Sequence, residues 1–245
     1  MLVYFVLFLI FLISMSDFTT SAKPVLSLHY FPVLARGLGP TLCMEFSGIP
    51  YTGNADSEKI DYKTISPFGQ MPVMQFKDEK IPPMSQTIAI INTIGNLAKT
   101  DGSDSLSLYT YSNQLMYEAE DLYQLMVKYV PTSSRPLSDP AKGSIEDYNN
   151  YIAVLVPKHI AMLEKMISLN VNDRVKPWTN GVFTTGELFL FSMLYQMTLV
   201  SPTCLETFPN TKKMFDTILN HQKTKCVLEG KSCMGTLHQY FFKHE

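Results

Sequence analysis

The feature that most constrains the fold of this chain is a change of pattern near residue 100. Between Pro24 and Thr100, short strand-like apolar runs alternate with helical segments, whereas beyond Leu108 nearly every apolar run has helical spacing. We therefore predict an α/β domain over residues 23–100 and an all-α domain over residues 106–245. The polar loop 99–105 is the predicted boundary between them.

The first domain is predicted to follow a β-α-β then β-β-α order, which is thioredoxin-like. Strands are predicted at Val25–Phe31 and Met71–Phe76, and the second of these forms a hairpin with Glu79–Ile81. Helices are predicted at Gly39–Ser47 and Ser85–Ala98.

The second domain shows strong helix signals. One apolar stripe predicts a helix that Pro131 ends, and a second predicts a long helix over Tyr148–Leu169 that bends near Pro157. His159 lies on that second stripe and is interpreted as a core histidine without a chemical role. A capping box over Thr184–Glu187 predicts another helix start.

The N-terminus has the layout of a signal peptide. An unbroken apolar run, Leu2–Ile13, is followed by the polar stretch Ser14–Ser21. A helix of that run is roughly 18 Å long, which is short of the ~30 Å hydrocarbon core, so a stable membrane span is not expected. We predict cleavage after residue 22 and a secreted chain that begins at Lys23. Because no Lys or Arg precedes the run, an uncleaved anchor is the alternative.

Charge and cysteine content exclude several function classes. The net charge is -2 and no basic tract occurs, so nucleic acid is not an expected partner. The four cysteines have no CxxC or Cys/His spacing, which argues against zinc and against dithiol redox chemistry. In an oxidising compartment, Cys226 and Cys233 are a candidate disulfide pair.

Six segments in order along the chain carry a family resemblance. They are Leu28–Gly37, Ser66–Met74, Ser85–Ile90, Glu120–Leu122, Thr184–Leu188 and Cys204–Pro209. Together they resemble the glutathione S-transferases, above all the sigma class, with some similarity to the pi class in the C-terminal half. The resemblance implies a thioredoxin-like N-terminal domain, an all-α C-terminal domain and glutathione as co-substrate.

The resemblance places the catalytic function on Tyr30 and Arg36. The thiol of glutathione, if it behaves like cysteine, has a pKa near ~8.5, and only its thiolate is a good nucleophile. The phenol of Tyr30 is expected to point at the sulfur, and Arg36 is expected to make the local field more positive. A strand-end aromatic that fills the core is the alternative interpretation of Tyr30.

The resemblance also implies a set of glutathione-binding residues. Met71 and Pro72 are expected to be joined by a cis bond, and Asp121 is expected to reach across a homodimer interface to the neighbouring site. The full set comprises Tyr30, Lys63, Gln70, Met71, Pro72, Gln86, Thr87 and Asp121. The pocket for small hydrophobic electrophiles is predicted to be lined by Phe31, Val33, Tyr117 and Tyr129.

Departures from the family pattern keep other functions open. The family's tryptophan before Lys63 is absent, since the only tryptophan is Trp178, and the usual charged residues of the first helix are replaced near Leu38 and at Thr41. These changes point to weaker glutathione binding. The alternatives are a glutathione-dependent prostaglandin D synthase, although Lys128 replaces its pocket tryptophan, and a non-catalytic ligand-binding or structural protein.

Overall fold

The computed structural model describes residues 26–54, 61–135, 144–171 and 183–244. The predicted signal peptide, residues 1–22, and Trp178 lie outside the described residues. Within those four ranges, none of the helices combines the length and the apolar character needed to cross a membrane.

The first half of the chain contains a four-stranded mixed sheet, and the order of its strands is β2-β1-β3-β4. Its strands are β1 (Leu26–His29), β2 (Tyr51–Asn54), β3 (Val73–Phe76) and β4 (Met84–Ser85). β1 runs parallel to β2 and antiparallel to β3, which itself runs antiparallel to β4. Parallel pairing requires a crossover, and helix α1 (Leu38–Ser47) supplies it between β1 and β2. The thioredoxin-like order is confirmed, although the sequence pattern did not locate its second strand, β2.

The predicted hairpin is wrong in its second strand. Residues 78–81 form a turn in which the carbonyl of Asp78 accepts a hydrogen bond from the backbone N–H of Ile81 at 3.0 Å. The next two residues are Pro82 and Pro83, which have no N–H to donate to a ladder. Pairing with β3 therefore begins only at Met84.

Eight further helices follow in the described ranges, the first two within the sheet half of the chain and the other six in the helical half. They are α2 (Tyr62–Ile65), α3 (Thr87–Ala98), α4 (Leu106–Tyr129), α5 (Ile145–Asn150), α6 (Val156–Val171), α7 (Thr185–Val200), α8 (Pro209–Leu219) and α9 (Gln222–Leu228). The thioredoxin-like domain followed by an all-α domain is therefore the observed architecture.

Helix α7 is the centre of the helical half. Almost all of its residues are buried, and it packs against α1, α3 and α4. The predicted capping box starts it: Thr184 accepts from the N–H of Glu187, whose carboxylate accepts from the N–H of Thr184. A Cβ on Gly186 would lie 1.9 Å from the carbonyl oxygen of Ser112, so only glycine permits this approach of α7 to α4.

The predicted bend near Pro157 appears as a change of helix type. A π-helical turn, Tyr151–Leu155, joins α5 to α6, and Pro157 is the second residue of α6. Proline cannot donate to the preceding turn, which favours an irregular turn at that point.

The suggested disulfide is not formed. All four cysteines are free thiols, with Cys43 buried and Cys233 exposed. Cys226 lies within α9, whereas Cys233 follows the turn that ends this helix, at Gly230.

Candidate active site

Four of the eight predicted glutathione-binding residues, Gln70, Met71, Gln86 and Thr87, converge on one groove of about 430 Å³. It lies where the segment after β1, helix α2, the loop before β3 and the start of α3 come together. Its lining residues are Phe31, Arg36, Tyr62, Gly69, Gln70, Met71, Gln86 and Thr87. Six of these eight were named from the sequence, and Tyr62 and Gly69 were not.

The loop before β3 forms one wall of the groove. The predicted cis bond between Met71 and Pro72 is present. Upstream, the hydroxyl of the buried Ser66 accepts a hydrogen bond from the N–H of Gln70 at 3.0 Å, which holds the loop against the sheet. The side-chain amide of Gln86, at the start of α3, donates a hydrogen bond to the side-chain oxygen of Gln70 at 3.4 Å. This wall of the groove is therefore in contact with the wall that α3 forms.

The N-terminus of α3 forms the opposite wall. Gln86 precedes the helix with a φ of 79°, a conformation that costs energy for a residue with a side chain. Thr87 is 3 % exposed, and its hydroxyl has no hydrogen-bond partner although it lies at the groove. Unpaired N–H groups and the positive end of the helix dipole favour an anion at such a position. The arrangement can therefore hold a carboxylate.

Tyr30 directly follows β1 and is 5 % exposed. It contacts two groove residues: its ring lies 5.6 Å from that of Phe31, and its hydroxyl accepts a hydrogen bond from the N–H of Arg36 at 3.1 Å. A Cβ on Gly37 would lie 2.3 Å from the ring of Tyr30, so glycine is required beside it. Tyr30 itself is not among the residues that line the groove.

Burial raises the pKa of Tyr30 above its ordinary value, and the nearby Tyr123 adds to this effect. The N–H and the charge of Arg36 act in the opposite direction but do not outweigh burial. The phenol is therefore protonated at neutral pH. Because its oxygen already accepts from Arg36, its proton remains available to donate to another acceptor.

Arg36 is held by two residues that sequence reasoning did not single out. Its guanidinium donates to both carboxylate oxygens of Glu120, at 2.6 and 2.5 Å, and lies 4.2 Å from the ring centre of Tyr123. Burial opposes the charge of Arg36, but the hydrogen bond and charge of Glu120 raise its pKa above the ordinary value. The paired carboxylate compensates the positive field that the sequence analysis attributed to Arg36. Glu120 begins Glu120–Leu122, one of the six segments that carry the family resemblance, and this was the sequence signal that could have identified it.

Two of the predicted glutathione-binding residues, Lys63 and Asp121, lie away from the groove. Lys63 is exposed and does not line the groove, whereas its neighbour Tyr62 does, with its ring 5.7 Å from that of Phe31. Asp121 lies on a second groove of about 390 Å³ between α4 and α6, together with Tyr117.

The predicted electrophile wall is not assembled as one surface. Tyr117 is 58 % exposed on the second groove, whereas Tyr129 stacks on Tyr151 with ring centres 5.7 Å apart. Twelve helical residues separate the two tyrosines, which places them about 18 Å apart and roughly a third of a turn around the axis of α4. Val33 pairs instead with His238 of the C-terminal segment.

The structure corrects the location of His159, which lies at the edge of the helical core and not in its interior. Its ring nitrogen lies 2.7 Å from a carboxylate oxygen of Glu118, so the side chain has a partner. Its side chain is 20 % exposed, and Glu118 lines the second groove, so the histidine lies at the edge of the helical core. Across the four described ranges, no group of three or more His, Cys, Asp or Glu residues is arranged to hold a metal ion.

Solved structures resemble this architecture over most of its length. A pi-class glutathione S-transferase of Onchocerca volvulus aligns with a TM-score of 0.66 and 20 % identity, covering 82 % of this chain and 90 % of its own. The chain has the glutathione S-transferase fold. The glutathione S-transferase of Ascaris lumbricoides aligns at 0.65 and 20 % identity over 85 % and 98 % of the two chains.

A further structural relative with the glutathione S-transferase fold is described as prostaglandin synthase D of Nilaparvata lugens. It aligns with a TM-score of 0.64 and 18 % identity, covering 84 % of this chain and 98 % of its own. No protein-family model matches the chain, and no curated protein matches it in sequence. At these identities the likeness establishes the fold.

Proposed function

We propose that this protein is a glutathione transferase that conjugates the glutathione thiolate to small hydrophobic electrophiles. The observation that carries the proposal is the state of Tyr30. It is a protonated phenol whose oxygen is already held by the N–H of Arg36, next to a groove that offers a carboxylate site. A phenol in this state donates a hydrogen bond to a thiolate and so lowers the pKa of the thiol.

The groove has a suitable group for each part of the tripeptide. The N-terminus of α3, with Gln86 and the unpartnered hydroxyl of Thr87, suits the γ-glutamyl carboxylate. The backbone of Met71, at the cis bond, suits the cysteinyl unit. The exposed Lys63 directly follows the groove residue Tyr62, so we assign it to the glycyl carboxylate, and Gln70 lines the groove within hydrogen-bonding distance of Gln86.

The chemistry is thiolate stabilisation followed by positioning of two substrates. Each unit by which the thiol pKa falls corresponds to about 1.4 kcal/mol of preferential thiolate stabilisation. One or two charge-assisted hydrogen bonds supply this amount. Holding the electrophile beside the sulfur converts the reaction into an effectively intramolecular one. Tyr30 then acts as a hydrogen-bond donor and not as a general base, because its own pKa lies above its ordinary value.

We propose that the active form is a homodimer. Asp121 is separated from the groove of its own chain and lines the groove between α4 and α6 instead. Exposed apolar side chains, Tyr117 and Met162, flank it there. Such a surface is suited to contact with a second copy of the chain. The carboxylate of Asp121 would then pair with the γ-glutamyl ammonium of the glutathione that is bound to that second copy. We also propose that the protein is of the sigma class, on the basis of the six segments that resemble the family.

Secretion is a separate part of the proposal. The apolar run Leu2–Ile13 supports it, and N-terminal sequencing of exported protein tests it. A chain that begins at Lys23 is the expected result, and an intact Met1 would contradict it.

The decisive experiment compares Tyr30→Phe with the wild type. The variant should bind glutathione with unchanged affinity in calorimetry but lose about 100-fold in kcat with an aryl halide, since one preorganised donor is removed. Tyr109→Phe is the matched control, because Tyr109 is 42 % exposed on α4 and does not line the groove. An unchanged kcat in Tyr30→Phe would exclude the mechanism. A wild type that binds no glutathione at millimolar concentration would favour a non-catalytic protein.

A further inference from the structure

Helix α2 is a single turn, and its first residue, Tyr62, lines the groove of the candidate active site. Both ends of this turn are fixed. At its start, the carboxylate of Asp61 accepts hydrogen bonds from the backbone N–H and from the hydroxyl of Thr64. At its end, the N–H of Ser66 donates to the carbonyl of Tyr62 at 2.9 Å. The backbone of Tyr62 is therefore held beside the groove.

The ring of Tyr62 is held by a second aromatic side chain. Its centre lies 5.7 Å from that of Phe31, and the two rings are nearly perpendicular, at 78°. Phe31 in turn packs edge-on against Tyr30, with ring centres 5.6 Å apart. Edge-to-face contacts of this kind are a favoured arrangement of aromatic rings. Three rings in series therefore connect the buried Tyr30 to Tyr62 at the groove.

The hydroxyl of Tyr62 is available to a ligand. Among the described residues, none forms a hydrogen bond with it. A phenol donates through its O–H, so it can pair with a carboxylate oxygen. The next residue, Lys63, is exposed and does not line the groove. The phenol is thus the group of α2 that can contact a ligand inside the groove.

The other polar side chains of the groove are already engaged or already assigned. The amide of Gln86 donates to Gln70 at 3.4 Å, and the guanidinium of Arg36 is bound by Glu120. The hydroxyl of Thr87 lies at the start of α3, which suits the γ-glutamyl carboxylate. The phenol on α2 remains for the second carboxylate of the tripeptide, which is on its glycine.

We propose, on the basis of the proposed function, that Tyr62 recognises the glycyl carboxylate of glutathione and makes the site selective for that group. The phenol O–H donates to a carboxylate oxygen inside the groove, whereas the exposed ammonium of Lys63 attracts the same group from outside it. Solvent and salt screen the lysine, so the phenol supplies the directed part of the recognition. It replaces the donor that is lost with the tryptophan absent before Lys63. Tyr62 is a specificity-determining residue of the binding step, and the sulfur remains the partner of Tyr30.

The test compares wild type, Tyr62→Phe and Tyr109→Phe by calorimetry with glutathione and with its glycyl ethyl ester. Phenylalanine keeps the ring that packs on Phe31 and removes only the hydroxyl, and the ester removes the charge of the glycyl carboxylate. Charge-assisted hydrogen bonds are roughly twice as strong as neutral ones. Tyr62→Phe should therefore raise the dissociation constant for glutathione about fivefold and that for the ester less than about twofold. Tyr109, which is 42 % exposed on α4, is the matched control, and Tyr109→Phe should match the wild type for both ligands.

Steady-state kinetics separate recognition from a purely structural role. With an aryl halide, Tyr62→Phe should raise the KM for glutathione by about the same factor and leave kcat unchanged, since the hydroxyl does not contact the sulfur. An unchanged glutathione affinity in Tyr62→Phe, or equal losses for glutathione and the ester, would overturn the assignment. A wild type that binds the two ligands equally well would overturn it too.

Failure of the proposed function gives a different pattern. A wild type that binds glutathione more tightly than the ester but shows no turnover excludes the transferase activity, and the calorimetry still decides the role of Tyr62. A wild type that binds neither ligand at millimolar concentration excludes glutathione from the groove, and the assignment of Tyr62 falls with it.

Discussion

The pair formed by Arg36 and Glu120 should be a major link between the two halves of the chain. Two parallel hydrogen bonds at 2.6 and 2.5 Å join a residue before α1 to a residue of α4. Their side chains are 24 % and 21 % exposed, so solvent screens the pair only in part. Charge-assisted hydrogen bonds contribute about 1.5–3 kcal/mol each when well shielded, and partial exposure reduces this value. We expect a coupling energy of about 2 kcal/mol.

A double-mutant cycle measures this coupling. Glu120→Met leaves a partly buried cation, and Arg36→Met leaves a partly buried carboxylate, so each should lower the free energy of unfolding by about 3 kcal/mol. The double variant removes both charges and should lose only about 4 kcal/mol, which gives the expected coupling of about 2 kcal/mol. The assay is urea unfolding followed by circular dichroism at one fixed protein concentration, because dimerisation would make apparent stability depend on concentration.

The chain provides a matched control pair. Lys231 and Glu229 are also 2.5 Å apart, but their side chains are 70 % and 53 % exposed. The same cycle on this pair should show no measurable coupling, since solvent and salt screen exposed ion pairs. Equal coupling in the two cycles, or strictly additive losses at Arg36 and Glu120, would refute the view that Arg36 is fixed by a shielded carboxylate.

Two further variants test single features of the fold. Although burial opposes it, four hydrogen bonds from the start of α8 lower the pKa of Glu164 below its ordinary value. Glu164→Gln should therefore cost about 1–2 kcal/mol of unfolding free energy at neutral pH. The difference from wild type should vanish as the pH falls through the lowered pKa, and a pH-independent difference would contradict this reasoning. Gly37→Ala should lower kcat at least tenfold in the aryl halide assay, because the new methyl displaces the ring of Tyr30. Full activity in this variant would show that the ring has room to move.

Local sequence signals were sufficient for several parts of the fold. The capping box joins Thr184 to Glu187, which lies only three residues further along the chain, so it could be predicted directly from the sequence. The end of α4 follows from the missing N–H of Pro131 and from the restricted backbone of the residue before it. The change of apolar period near residue 100 reflects which face of each element is buried, which is again a local property.

Other parts of the fold and site depend on contacts between distant residues. The short strand β4 follows two prolines and is defined by its pairing with β3, so no local pattern marked it. Glu120 lies 84 residues from Arg36, and only packing of α4 against the segment between β1 and α1 brings their side chains together. From the sequence alone, Arg36 is therefore expected to act as an uncompensated charge.

Sequence alone determined the composition of the site, namely which phenol, which cis bond and which helix start were available to bind a thiol tripeptide. Tertiary structure decided the surroundings of these groups. It paired Val33 with His238 of the C-terminal segment, placed Tyr117 on another groove and buried Tyr30 deeply enough to raise its pKa. The physical reason is that burial, pairing and solvent access are properties of the whole packed chain, whereas a motif specifies only the residues within a few positions of one another.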